Sequence, residues 1–587
     1  MNAPTALHRL FWGALTVAAL AFAGSIVADT LRAIVPLWSP LPWFDEWATV
    51  ELLRAWHEGE MSAAEVLFAQ HNEHRILLPR LVFFADDLLF RGGGYLSLAA
   101  IFAVQLLHAG LFAAVLGRAR RSPATPMRAG RWAVAAAVLA LMFSLRQAEN
   151  FSSGFQLQFV AVFAGATLSF VLFAAAVRRE RMSGAAGAAL PASLAAVLAT
   201  SFTMANGLLA GYVVVVLALA ARMRPRVVLA CAGWALLVTA VYLRGYEPVA
   251  HHGKLADGLR QPLEFLAYIA TYLGSVVASN MQGGAGPLGL LGLAATGFAA
   301  LRVLRQGRAA HPVSLAMVGV MLFVCATAAV TASGRLMFGV SQALSSRYVT
   351  GSVAFWAAQL TYWWIDPPAW RLRLGRAAVP AGLAAQAAAA LVAVALCSAV
   401  AEQQNPAKAQ LAVQSFSQNE SADALLLGLD DHDATSRAAW SDEDVQRLLP
   451  TLKADGLSIY GTADAAGVGR PVAERGRPGE ACAGAVLSAV ADPRLGIEGV
   501  RVSGSASEGP RRRIVRRVLL ADAAGRLEGL ASGAVPGAAR GAWRGYAVAP
   551  VGARLTAYGL VDGGRLCLIG SATVSPSVQA SQPEEAP

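Results

Sequence analysis

The sequence predicts an α-helical polytopic membrane bundle of about eleven transmembrane helices, followed by a C-terminal extracytoplasmic β-sandwich domain. Three observations predict it. Hydrophobic residues make up 56% of the 587-residue chain and charged residues only 14%, with a mean hydropathy of +0.50, whereas a soluble domain carries about a quarter charged residues. That excludes a water-soluble enzyme. Long uncharged apolar runs fill the first 400 residues and are absent from the rest, where short β-rich runs alternate with Gly, Pro and Ser. Arginines gather in every second loop between the apolar runs.

A bilayer core about 30 Å thick needs roughly 20 apolar residues at about 1.5 Å per residue. Candidate runs lie near residues 10–28, 96–117, 132–145, 155–177, 187–203, 205–221, 227–243, 285–301, 312–331, 348–365 and 378–400, of which the third, fifth and sixth are short. More spans follow the first and no convincing small-residue cleavage site ends it, so it reads as an uncleaved helix. The basic loops carry Arg118, Arg120, Arg121, Arg128 and Arg131, then Arg178, Arg179 and Arg181, then Arg222, Arg224 and Arg226, then Arg302, Arg305 and Arg308, then Arg371, Arg373 and Arg376. The positive-inside rule makes these loops cytoplasmic. With His8 and Arg9 also inside, eleven spans leave the C-terminal domain on the opposite face of a bacterial-type inner membrane. The stretch 263–281 is apolar enough to cross, but a twelfth span would push Arg302, Arg305 and Arg308 outside. It is expected to be interfacial or re-entrant. The net charge of +11 is therefore mainly a topology signal, with membrane lipids rather than nucleic acid as the implied partner.

Under this topology unusual polar segments face outward: PWFDEW (42–47), QHNEHR (70–75), RQAEN (146–150), TMANG (203–207), YEPVAHHGK (246–254), SGR (333–335) and SSRY (345–348). Ionisable groups beside a bilayer are costly and mark substrate paths, although short outer loops are also polar simply because they are wet. The first outer loop, 30–95, is too long for a simple connector. Within it residues 47–68 read as an amphipathic helix lying in the interface, and Pro79 starts or kinks a second helix carrying Leu81, Val82, Phe84 and Leu88. Asp45 and Glu46 sit among Trp43, Phe44 and Trp47. Aromatic surroundings raise a carboxylate's pKa toward the operating pH and suit one of the pair, Asp45, to general-base work. The plainer reading of the two acids is capping of the helix that begins at Trp47.

On a helix the spacing of His71, His74 and Arg75 places all three on one side, where Arg75 or Arg80 suits a phosphorylated leaving group. A divalent metal held by His71, His74 and an acid is the weaker reading of HxxH. His252 and Lys254, with Arg335, Arg347 and Tyr348, are further candidates to hold a phosphate or pyrophosphate. Glu149, Asn150, Gln156 and Asn206 suit sugar hydroxyls, or else hydrogen bonds between helices.

These residues resemble the GT-C superfamily of polytopic glycosyltransferases, which use lipid-phosphate-linked sugars. The resemblance covers about residues 8–400 and is carried by the long first outer loop with Asp45-Glu46, QHNEHR with Pro79-Arg80, QAEN, and SSRY before a late span. It implies Asp45 as the catalytic carboxylate and Arg75, Arg80, Lys254 or Arg347 as ligands of the carrier phosphate. The implied activity is hexosyl or pentosyl transfer, with inversion, from a polyprenyl-phosphate donor to a glycan, lipid or protein acceptor. No nucleotide-binding glycine motif occurs, and the glycines 92–94 follow no predicted strand. A transporter or flippase of a lipid-linked saccharide and a non-catalytic scaffold for envelope polysaccharide stand as alternatives. Symmetry-related internal repeats, the mark of many transporters, are not seen.

The domain plan is a membrane body over 1–400, a helical stalk over 401–470, a β-rich domain over 471–572 and a disordered tail over 573–587. None of the five cysteines shows metal-ligand spacing. Cys231, Cys325 and Cys397 read as membrane packing, and Cys482 and Cys567 as a disulfide closing the outer domain. Arg511, Arg512, Arg513, Arg516 and Arg517 read as a charge-guarded edge strand, or as a site for an anionic glycan or lipid headgroup.

Overall fold

The computed structural model describes residues 6–118, 130–249, 258, 260–277, 284–374, 377–509 and 512–577. It is mostly helical, with a strand-rich curled sheet at the C-terminal end. Each of the eleven apolar runs is helical, and among the described residues eight helices are long and apolar enough to cross a membrane. The fifth and sixth runs form the shorter helices Ala189–Ser201 and Leu208–Ala220, and the tenth forms Val349–Ile365. The stretch expected to be re-entrant holds the apolar segment Pro262–Val277, about 24 Å long at the helical rise and thus short of the bilayer core.

The chain divides into two units. The first comprises Met1–Pro36, Ala63–Val82 and Ser97–Lys408; the second comprises Leu37–Ser62, Phe83–Leu96 and Ala409–Pro587.

In the first unit, local signals set the helix ends. Pro225 and Pro312 occupy first helical positions, where a missing N–H costs nothing, and Gly184 at φ +75° ends Leu157–Ser183 in the left-handed conformation. Gly274 and Gly289 let Pro262–Gly274 and Ala285–Gln306 run closely antiparallel, because a methyl group at either would lie 1.8 Å from a carbonyl oxygen of the other helix. The arginine-rich loops meet one another at one end. Arg181 donates to Ala310 O, Arg224 lies 4.0 Å from Glu180, and Arg302 pairs with Asp366 at 3.1 Å. Trp12 meets Trp364 at the same end, beside Gly130. Segments of the predicted outer loops meet at the opposite end, where Lys408 pairs with Asp29, Gln404 accepts from Leu145 N, and Gln403 donates to Val277 O. The alternation of charge along the sequence is thus an alternation of ends in space.

The second unit draws its residues from both sides of the membrane body in the sequence. Segments 37–62 and 83–96 of the first outer loop belong with the C-terminal residues rather than with the membrane body. The expected single helix over 47–68 is two, Trp47–His57 and Ala63–Phe68, interrupted around Gly59 at φ +75°. The apolar face of the first does not rest on lipid. Trp47, Val50 and Leu53 are buried with Val445, Leu448 and Leu452 of Asp442–Asp455, a helix capped by Ser441. The apolar stripe seen in the sequence is the same; a protein helix covers it. Leu448→Ala is expected to destabilise this unit by about 3 kcal/mol through lost burial and a residual cavity, measured by chemical denaturation of the full-length protein in detergent.

Beside it, Asp86 is 2% exposed and accepts from the Gly94 and Leu96 amides. Burial, and then the neighbouring Asp86, push Asp87 up to about 7. A carboxyl raised above its unfolded value stabilises fully only below the ordinary carboxylate range, and that contribution is lost as pH rises through about 7. Thermal unfolding midpoints measured at pH 5.5 and pH 8 are expected to differ in the wild type, with the lower midpoint at pH 8. Asp87→Asn should shrink that difference.

The expected sandwich of two sheets is instead one curled sheet. A separate antiparallel pair, β1 (Arg371–Leu374) with β2 (Ala377–Pro380), precedes it in the chain, and the strands of the curled sheet are β3 (Arg477–Pro478), β4 (Ala483–Ala491), β5 (Gly499–Glu508), β6 (Arg513–Ile514), β7 (Arg517–Ala521), β8 (Leu527–Gly533), β9 (Ala542–Val548), β10 (Arg554–Val561) and β11 (Arg565–Thr573). The order is β3-β11-β10-β7-β8-β9-β5-β4, with β6 on β5, and every pairing is antiparallel except β3 with β11. The sheet curls until β4 and β11 meet. Cys482 N donates to Leu568 O at 3.0 Å, Val490 bridges Ser575, and a disulfide joins Cys482 to Cys567 with Cα atoms 5.2 Å apart. Val502, Val518, Ala531, Trp543 and Leu555 lie in the core inside the curl. Residues 573–575 are therefore part of the sheet, and only 578–587 of the expected tail lie outside the described residues.

The basic run is split between an edge and the interior of the sheet: Arg513 lies in β6, which pairs only with β5. Arg517 begins β7, which lies between β10 and β8, and its guanidinium pairs with Asp423 and Asp464 at 2.7 Å each. Arg513 faces Asp562, and Arg511 lies outside the described residues. The expected stalk likewise packs by charge, with Glu420 holding Arg437 and Arg544 at 2.7 Å each.

Candidate functional site

At the end of the first unit opposite the arginine-rich loops, the QHNEHR segment is a tight turn, not the helix that its spacing suggested. His71 N and His74 O, and His74 N and His71 O, are bonded at 2.8 Å each, and Asn72 at the tip takes a φ of +48°, which Asn tolerates better than most residues. The turn parts the two histidines. The His71 ring meets Phe155 edge-on at 4.8 Å, while His74 Nδ1 accepts from Ala205 N at 3.4 Å and its Nε2 faces Glu73 at 3.6 Å. Among the described residues no group of three His, Cys, Asp or Glu side chains is placed to hold a metal ion.

Arg75 and Arg80 hold backbone. Arg75 donates to the carbonyls of Tyr242, Phe68, Arg244 and Gly245, and so ties the turn to the loop after Pro225–Leu243. Arg80 is 2% exposed, and its Nη1 donates to the carbonyls of Val66, Leu67 and Ala69 at the end of Ala63–Phe68. Burial, and then the charge of Arg75, lower Arg80 to about 10. These bonds give both arginines a structural task.

Two other cations stay half-buried beside carboxylates. Arg335, at the end of Pro312–Arg335, lies 3.6 Å from Glu73 Oε1, and Arg347 lies 3.5 Å from Glu149 while its own amide donates to that carboxylate. The two pairs are linked. The Tyr268 hydroxyl lies within electrostatic reach of both Arg335 and Arg347; it donates to Gln342 Oε1, and Gln342 Nε2 donates to the Tyr348 hydroxyl at 3.3 Å. Tyr348 also lies under the Arg347 guanidinium and stacks on Tyr272.

Amides complete the network. Asn150 donates to Arg347 O and Thr350 Oγ1, and Asn206 donates to Thr327 Oγ1, which are interhelical bonds. Yet Asn150 Oδ1, Gln156 Oε1 and Asn206 Oδ1 are each buried with no hydrogen-bond partner among the described residues. A buried acceptor left unpaired is rare and is met by a donor from elsewhere. Six of the seven segments predicted to face outward therefore gather in one network; of the segment 246–254, the part reached is Glu247, whose amide donates to Gln70. His252 and Lys254 lie outside the described residues.

The seventh segment, PWFDEW, belongs to the second unit. Phe44–Glu46 is a single 3-10 turn in which Glu46 Oε2 accepts from the Trp43 amide at 2.8 Å, the capping arrangement. Asp45 Oδ1 accepts from the Trp440 indole at 3.2 Å, and the Trp440 ring, 76% exposed, sits edge-on to Phe44. Phe44 holds a φ of +46°, an uncommon strain for an aromatic residue.

Sequence reasoning missed Glu73, Tyr268 and Gln342. Glu73 was visible as the acid inside a polar hexapeptide; the other two carried no local signal, since a tyrosine in an apolar helix looks like packing. No protein-family model, curated protein or solved structure matches the chain.

Proposed function

We propose that the chain is a membrane-embedded glycosyltransferase. It moves a sugar from a polyprenyl-phosphate donor to an extracytoplasmic glycan, lipid or protein acceptor. One observation carries the reading: six polar segments, far apart in sequence, meet at the end of the helical unit away from the arginine-rich loops, with two acid-cation pairs and three unpaired amide oxygens. Apolar helices suit the polyprenyl tail, the half-neutralised Arg335 and Arg347 suit its phosphate, and the amide acceptors suit sugar hydroxyls. A fully saturated network would support a purely structural role instead.

In the proposed reaction the acceptor oxygen attacks the anomeric carbon from the face opposite the phosphate. Its proton passes to a carboxylate, the new carbon-oxygen bond forms, and the bond to phosphate breaks with its electron pair leaving on the phosphate oxygen. Arg335 and Arg347 stabilise that charge, and the anomeric configuration inverts. Two carboxylates compete for the proton. The resemblance favours Asp45. The local chemistry favours Glu73, which lies beside His74 and Arg335.

The outward placement of this end, and of the C-terminal unit, is supported by the segregation of arginine-rich loops and by the Cys482–Cys567 disulfide, a bond typical of oxidising compartments. The test is mass spectrometry of envelope glycans and glycoproteins from cells with and without the protein. A sugar missing from the deletion strain and restored by purified protein with a lipid-linked donor supports transfer. Donor accumulating unconsumed on the inner leaflet supports the flippase reading.

A further inference from the structure

At the arginine-rich end of the first unit, a cavity of about 700 Å³ opens between Tyr95–Arg118, Leu157–Ser183 and the start of Pro312–Arg335. Its walls are apolar, formed by Val115, Val171, Ala174, Val313 and Ala316. Its mouth is cationic, with Arg118, Arg178 and Arg179 exposed along it. These three guanidiniums are unlike their neighbours. Arg181 donates to Ala310 O, and the Glu180 carboxylate faces Arg224, whereas Arg118, Arg178 and Arg179 have no ion-pair or hydrogen-bond partner among the described residues. Arg179 is also positioned: Gly187 leaves it room, since a methyl group there would lie 2.7 Å from Arg179 Nε.

We propose that this cavity is a binding site for an anionic glycerophospholipid, which sets an acyl chain against the apolar walls and its phosphate on Arg118, Arg178 and Arg179. The two halves of the site need one ligand with both properties. A soluble phosphate leaves the walls wet, and a neutral lipid leaves three guanidiniums without a counter-charge. The volume lies within the range of small-ligand sites, about 300–1,000 Å³, so the site is concave and not merely a basic surface near headgroups. It stands at the opposite end of the helices from the Glu73 network and is independent of the proposed chemistry there.

The test uses full-length protein in detergent, supplied with phosphatidylglycerol or phosphatidylcholine and examined by native mass spectrometry. Bound phosphatidylglycerol is expected in excess over phosphatidylcholine at equal supply. Each cation beside an anionic headgroup contributes about fivefold, so Arg178→Ala/Arg179→Ala should reduce phosphatidylglycerol retention roughly thirtyfold and leave phosphatidylcholine unchanged. Ala175→Trp, which fills the cavity from an exposed lining position, should reduce retention with all three arginines present. Equal retention of the two lipids by the wild type overturns the proposal. So does unchanged phosphatidylglycerol binding in either variant, since headgroup attraction alone survives Ala175→Trp and non-specific acyl adhesion survives loss of the arginines. Should the double variant not fold, Ala175→Trp decides.

Discussion

Glu73→Gln is expected to lower sugar transfer by about 10²–10⁴-fold while the protein accumulates normally, because the amide keeps the shape of the turn but cannot take a proton. The turn's frame is the backbone pair between His71 and His74 and the Arg75 bonds to four carbonyls, none of which uses the Glu73 side chain. A fall in kcat at little changed KM, with normal thermal stability, assigns the acid-base role to Glu73. Asp45→Asn is the companion measurement. Asp45 accepts from Trp440, and an asparagine oxygen can accept the same bond, so that variant should keep its stability. If Asp45→Asn abolishes transfer and Glu73→Gln does not, the resemblance located the base and the Glu73 network is left with donor binding. If both variants leave the product unchanged, the proposed transfer chemistry fails. Activity measured across pH adds an independent readout, since loss of the base removes the acidic limb of the profile.

The second large effect concerns the curled sheet. Reducing the Cys482–Cys567 bond, or replacing both residues by serine, is expected to destabilise the second unit by about 4.6 kcal/mol, the loop-closure contribution for a sequence separation of 85 residues. The bond clamps the start of β4 to β11 beside the Cys482–Leu568 hydrogen bond and the Val490–Ser575 bridge, so its loss removes the one covalent closure of the curl. Denaturant midpoints of full-length protein with and without reductant measure the effect. Alkylation of the two thiols in intact cells without prior reduction would show the bond absent in vivo and would argue against an extracytoplasmic domain.

The helices were legible because the bilayer imposes a local rule: a run of apolar residues of a given length must pair its backbone internally, whatever surrounds it. All eleven runs are accordingly helical. The grouping of basic loops was legible for a similar reason, since like-charged loops recur at alternate ends of successive helices. The first outer loop was harder. Its amphipathic stretch 47–57 announced an apolar face but not its cover, and the cover, Val445, Leu448 and Leu452, lies about 400 residues later. The strands were visible by their alternation, but whether they form two sheets or one depends on pairings such as β5 with β9 and β7 with β10, which no local pattern encodes.

The site divides in the same way. The polar segments 70–75, 146–150, 203–207, 333–335 and 345–348 stand out from composition alone as a collection of unusual groups near a membrane. Their roles do not. Arg75, Arg80, Arg335 and Arg347 are chemically equivalent in the sequence; backbone carbonyls engage the first two, and carboxylates leave the second two half-exposed. What the sequence by itself determined is therefore the inventory: membrane helices, their alternating ends, a strand-rich C-terminal part and a set of polar residues between them. Tertiary structure alone decided which of those residues hold backbone carbonyls and which lie beside carboxylates, because hydrogen bonding is satisfied by neighbours in space and a side chain's partner is set by packing rather than by the residues beside it in the chain.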